Sequence, residues 1–123
     1  MSLPQLIERL SAQGLPVLDR DAARAFVHSH EHALLCFFND PKAFPENFDV
    51  AVVVPELLKS FPVIHAAVAE PQAVAGLALV YGVNIFPSLV LLRNGEVQQS
   101  WARIQPWGVY QQQLPALLNR NTG

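Results

Sequence analysis

The sequence predicts an α/β fold in three layers, a mixed central sheet with helices on both faces. Three observations predict it. Short continuous apolar runs, such as residues 33–38 (ALLCFF), alternate with segments whose apolar residues recur at helical spacing, and strands alternating with helices imply parallel pairing. Two final runs, residues 88–92 and Glu96–Ala102, are separated by a turn containing Asn94-Gly95, the signal of a tight hairpin, because turns of the primed types need φ > 0 at their centre. Pro87 stands at the head of the first of these runs. There its missing N–H leaves one ladder position open, and it can adopt a cis bond that other residues resist.

Each element follows in turn. Leu3, Leu6, Ile7 and Leu10 form one helical stripe, opened by Pro4 and closed by Gly14. Leu15-Pro16-Val17-Leu18 reads as a short edge strand, since it contains proline. Asp19 or Asp21 caps a second helix whose inward face carries Ala22, Ala23 and Phe26. Residues 33–38 form a central strand buried on both faces. A loop over residues 39–48 follows, and then Val50, Val53, Val54, Leu57, Leu58 and Phe61 mark the cleanest helical stripe. Pro55 lies inside it. Either the helix kinks near Ala51, or it starts at Pro55 and leaves residues 50–54 extended.

Phe61-Pro62 ends that helix, and residues 63–69 form a third core strand. Pro71 opens a helix with Val74, Leu77, Ala78 and Tyr81 inward, and Gly82 closes it. After the hairpin, in which Trp101 is a packing residue, Pro106 opens the last helix, with Val109, Leu114, Leu117 and Leu118 facing the core. Pro115 implies a kink or a break there, and residues 119–123 form a polar, frayed tail.

Composition bounds the function classes. The chain of 123 residues suits one domain, residues 1–123, without repeat or linker. Hydrophobic residues make up 51% and charged ones 15%, which supports one core and argues against disorder. Ten acidic against eight basic residues give a net charge of −2 and no electrostatic footprint for nucleic acid. No apolar run reaches the roughly 20 residues of a membrane span. The first residues carry Glu8 and Arg9 in an amphipathic pattern, unlike a secretory signal. The single cysteine, Cys36, rules out an internal disulfide, so a reducing, cytoplasmic setting is expected. Cys36 falls inside a predicted central strand, where a thiol packs and does not react.

His28, His30 and His32 in HSHEH would share one face of a strand, where imidazoles suit a transition metal. On a helix only His28 and His32 would align. The simpler reading is a solvated helix end before a strand, and His65 reads as a hydrogen-bonded structural residue. No metal and no cofactor are expected. Asp40, Glu46 and Asp49 share one loop region, but their spacing alone fixes no acid/base geometry. No catalytic residue is assigned.

A helix ending in Tyr81-Gly82-Val83, a proline opening a strand, and then Asn94-Gly95-Glu96-Val97 resembles the C-terminal half of a thioredoxin domain. The resemblance implies a cis Pro87 bordering a substrate groove, and it favours the kinked helix through Pro55. Redox thioredoxins carry Cys-x-x-Cys at a helix N-terminus in the loop after the central strand. Here that loop reads NDPKAFPENFDV, without cysteine, and anchoring on Pro55 places Asn47 and Val50 near the two lost positions. Two-cysteine disulfide exchange is therefore not available.

Asp40-Pro41-Lys42, Pro45-Glu46, Asp49, Glu56-Leu57-Leu58, Phe61-Pro62, Tyr81-Gly82-Val83, Phe86-Pro87 and Pro106-Trp107, in that order, resemble the HyaE/HupG family of hydrogenase accessory proteins. The resemblance implies a cytoplasmic, non-catalytic chaperone of nickel–iron uptake hydrogenase. Its partner would be the small-subunit precursor with its twin-arginine signal peptide, held until assembly is complete. A groove beside Pro87 would bind extended peptide. Pro41, Phe44, Phe86, Pro87, Pro106 and Trp107 would supply apolar surface there, and Asp40, Glu46 and Asp49 would attract the arginines. Arg103-Ile104 stand where thioredoxins commonly have a glycine near the groove, so a side chain partly fills that place. The competing readings are a general peptide-binding module with an unrelated partner, and a one-cysteine thiol oxidoreductase using Cys36.

Overall fold

The structure, a computed structural model, describes residues 1–119. The chain runs through α1 (Leu3–Ala12), β1 (Val17–Leu18), α2 (Arg20–Ser29), β2 (His32–Phe37), α3 (Glu46–Ser60), β3 (His65–Ala69), α4 (Val74–Tyr81), β4 (Ser88–Arg93), β5 (Glu96–Ala102) and α5 (Trp107–Leu118). One five-stranded sheet has the order β1-β3-β2-β4-β5. The first three strands in that order are parallel, and β4 and β5 are antiparallel additions.

The central strand explains the layers. Successive side chains of a strand point to opposite faces, and every residue of β2 is buried. Leu34 and Cys36, with Phe38 just beyond, face one core, which is completed by Leu6 and Leu10 of α1, Val50, Val54 and Leu57 of α3, and Tyr110 and Leu114 of α5. Ala33, Leu35 and Phe37 face a second core with Ala23 and Val27 of α2 and Leu77 and Ala78 of α4. This is the three-layer arrangement that the sequence predicts.

The hairpin turn also forms as predicted. Asn94 and Gly95 have φ of 51° and 85°. Gly95 is further constrained from outside, because a Cβ there would collide with the His28 ring.

Several expectations need correction. Ala22 is exposed, and the inward face of α2 is Ala23, Phe26 and Val27. The Asp19 side chain accepts from Ala22 N–H, which starts the helix at Arg20 and sets its phase. Helix α3 begins at Glu46, inside the predicted loop, with Glu46 and Asp49 in its first turn. It then runs unbroken through Pro55, which excludes the late start. Helix α5 likewise passes Pro115 without a break. Strand β3 starts at His65, two residues later than expected, after a turn closed by Ile64 N–H on the Phe61 carbonyl at 3.0 Å.

Pro71–Ala73 forms a separate 3-10 turn before α4. His28 lies in α2, His30 caps its C-terminus and His32 opens β2, so the three do not lie on one strand. His30 instead stacks on His65, with centroids 4.2 Å apart. Of the expected frayed tail, residues 120–123 lie outside the described residues.

The loop between β2 and α3 is held by one fully buried side chain, Asn47. Its Oδ1 accepts from Asn39 N–H at 2.8 Å, and its Nδ2 donates to Asn39 Oδ1 at 2.6 Å and to the Phe44 carbonyl at 2.8 Å. Helix α3 has no side-chain N-cap, so this carboxamide does the tying that a cap would otherwise do. A buried donor or acceptor stripped of its partner keeps its full desolvation penalty. Asn47→Ala should therefore lower unfolding free energy by about 2–3 kcal/mol, read by urea denaturation. A loss under about 0.5 kcal/mol, the usual effect of a surface substitution, would show that the loop does not depend on it.

Candidate functional site

The segments that carry the predicted site residues leave or enter the sheet at the end where β2 finishes and β4 starts, with Phe37 opposite Ser88 and Ser88 opposite Ala102. The Phe86-Pro87 bond is cis, as the thioredoxin resemblance implies. Pro87 is buried, and its carbonyl accepts from Arg103 N–H at 2.7 Å, extending the β4–β5 ladder by one bond. Arg103 has φ of 62°, a left-handed conformation that a non-glycine residue adopts at a cost of about 1–2 kcal/mol. That cost fits a position where glycine is common. The next residue, Ile104, donates its N–H to Glu46 Oε1 at 3.3 Å, and Glu46 Oε2 lies 4.0 Å from Arg103 Nη1. Pro87, Arg103, Ile104 and Glu46 thus form one connected set across three chain segments.

The remaining predicted residues divide by exposure. Asp40, Phe44, Asp49 and Pro106 are exposed, with Phe44 at 52%. Pro41 is buried. Asp40 is partly used within its own loop, where its Oδ1 accepts from Lys42 N–H at 3.0 Å and its carbonyl from Phe44 N–H at 2.9 Å. Asp49 shares the first turn of α3 with Glu46, where the helix dipole favours both carboxylates.

The two aromatics are not one surface. Phe86 is half-buried in the α2/α4 core, tilted on Phe37 with centroids 6.5 Å apart. Trp107 is half-buried in the α1/α3/α5 core, edge-on to Tyr110 at 6.3 Å. They flank the sheet from opposite sides.

The positions expected to replace the redox cysteines, Asn47 and Val50, are both fully buried. Cys36 is also fully buried in β2, and burial alone pushes its thiol up to about 12. At neutral pH it is a protonated packing group, because the thiolate is the reactive form.

Sequence reasoning missed two features. The Asn47 contacts were hidden because a polar residue among loop residues gives no burial signal. The pairing of Glu46 with Arg103 joins residues far apart in the chain, and only the unusual side chain at position 103 pointed to it. Elsewhere, a hollow of about 640 Å³ lies between α1 and α3, lined by residues including Leu6, Arg9, Phe48, Val52 and Leu58. None of its lining residues belongs to the predicted site. Among the described residues, no group of three or more His, Cys, Asp or Glu side chains is placed to hold a metal ion, and no helix is long and apolar enough to cross a membrane.

Comparison with known proteins fits this geometry. The family model described as hydrogenase-1 expression protein HyaE matches residues 6–110. The hydrogenase expression/formation protein HoxO of Azotobacter vinelandii is 39% identical over 114 residues, covering 92% of this chain and 77% of that protein. HupG of Bradyrhizobium diazoefficiens, described in the same words, is 33% identical over 119 residues, covering 93% and 80%. A crystal structure described as that of the hydrogenase expression/formation protein HupG from Rhodopseudomonas palustris has a TM-score of 0.60 at 35% identity, covering 84% of this chain and 94% of that one. A Plasmodium falciparum thioredoxin superposes with a TM-score of 0.68 at 11% identity, covering 80% and 95%, which shows the thioredoxin-like fold alone. The chain belongs to the HyaE family of hydrogenase expression proteins.

Proposed function

We propose that this protein is a non-catalytic, cytoplasmic chaperone of hydrogenase maturation. It binds the small-subunit precursor through its twin-arginine signal peptide, at the cis-proline end of the sheet, before export. Family membership gives the role in hydrogenase maturation. The observation that carries the finer reading is the exchange of chemistry at that end. The proline bordering the peptide groove of thioredoxins is kept and cis, while buried Asn47 and Val50 stand where thiols are expected. Such a surface holds a peptide without reacting with it.

Extended peptides are bound mainly through backbone hydrogen bonds, with side-chain contacts setting register. Exposed Phe44 and Pro106 offer apolar contact, and Asp40, Glu46 and Asp49 give the rim negative charge. Rim charges act chiefly on encounter and salt dependence. Replacing the three together (Asp40→Asn, Glu46→Gln, Asp49→Asn) should weaken a twin-arginine signal peptide about tenfold and flatten its salt dependence, taking each exposed pair at roughly 0.5 kcal/mol. Calorimetric titration at two salt concentrations reads both, and unchanged affinity and slope would contradict the assignment of these carboxylates.

The oxidoreductase alternative has its own test. Buried Cys36, with its thiol at about 12, should be alkylated at pH 8 at least about a hundredfold more slowly in the native than in the unfolded protein. Rapid native labelling would revive thiol chemistry.

A further inference from the structure

We propose that the Glu46 carboxylate is a guanidinium site, occupied in the free protein by the chain's own Arg103, which an arginine of a bound peptide displaces. The inference rests on the peptide-binding reading above and adds how the site distinguishes its ligand.

The two partners of this ion pair are held very differently. Glu46 is the first residue of α3, its side chain is 39% exposed, and Ile104 N–H donates to its Oε1 at 3.3 Å. A carboxylate oxygen has two lone pairs, so both oxygens can still accept a guanidinium. The Arg103 side chain is 64% exposed and touches Oε2 only at 4.0 Å, the outer limit of an ion pair. Long exposed pairs contribute little, because solvent screens them and two flexible side chains must be held. A carboxylate seated at a helix start, with a more exposed internal cation only loosely on it, is a site set up for exchange.

The location supports the same reading. Arg103 N–H is bonded to the carbonyl of Pro87, so the guanidinium is tethered one residue across the ladder from the cis-proline. A peptide lying along Pro87 brings its own side chains to this point. An incoming arginine would replace Arg103 on Glu46 in a two-point contact, and Arg103 would turn into solvent. Lysine cannot match this, since its ammonium is a point charge and cannot form the planar fork.

The exchange makes an unusual prediction about Arg103: removing it improves binding. Arg103→Gly suits the 62° backbone angle, so this variant is expected to fold with an unchanged or higher melting temperature. The probe is a synthetic peptide carrying paired arginines in an otherwise apolar sequence, with a paired-lysine counterpart, titrated by calorimetry at low and high salt. The arginine peptide should bind Arg103→Gly about two- to fivefold more tightly than the original protein. Its salt dependence should steepen, because no internal pair is given up. Arg103→Lys should keep the original affinity. Adding Glu46→Gln to Arg103→Gly should erase the gain, and the lysine peptide should gain nothing.

Equal affinity of the arginine peptide for the original protein and Arg103→Gly would overturn the exchange while leaving peptide binding intact. So would a gain that persists with Glu46→Gln. If neither peptide binds any of these proteins, the peptide-binding reading itself falls, and the exchange with it.

Discussion

The Asn47 carboxamide ties together the end of the molecule where three separate segments meet. Its three hydrogen bonds join Asn39, two residues past β2, and Phe44, two residues before α3, to the first turn of that helix. The α3 N-terminus has no side-chain cap, so without these bonds the loop would have no anchor. Glu46, one residue before Asn47, takes its position from the same anchor. Its carboxylate then reaches Arg103 and Ile104, beyond β5, and through Arg103 the backbone of Pro87. The candidate site is therefore a short chain of dependence: buried amide, helix start, carboxylate, strand end, proline.

That dependence bears on how this end of the fold is built. A reactive thiol at a helix N-terminus needs exposure and an electropositive setting. Here the residues expected at the two thiol positions are a hydrogen-bonded amide and a core valine, neither exposed. The one thiol in the chain is buried between neighbouring strands in β2, and its pKa is raised by burial. The polar and apolar surface at the cis-proline end remains, with its geometry fixed by structure in place of chemistry. Such a surface is suited to recognition.

Much of the fold was legible because its signals are local. The continuous apolar run of residues 33–38 and the stripe that runs from Val50 to Phe61 each mark one element, and Asn94-Gly95 adopts the positive φ that its turn demands. Boundaries failed where the signal is polar. The first turn of α3 carries Glu46, Asn47 and Asp49, which read as loop because no apolar stripe runs through them. Ala22 was misplaced because small residues on both sides of α2 give no phase, which is set by the Asp19 cap. The cis bond at Pro87 was legible only through resemblance to a known pattern. The Glu46–Arg103 contact was not found, since no periodicity or motif connects residues on different elements. Phe86 and Trp107 looked equivalent in the sequence, yet the sheet separates them into opposite cores.

The central claim is that this fold has kept a peptide site and given up thiol chemistry, and that the peptide is the leader of a hydrogenase precursor. Calorimetric titration of the protein with the hydrogenase small-subunit precursor, with and without its signal peptide, tests this most directly. The account predicts saturable binding to the full precursor that disappears when the signal peptide is removed. Binding that survives its removal, or no binding to either form, would contradict it.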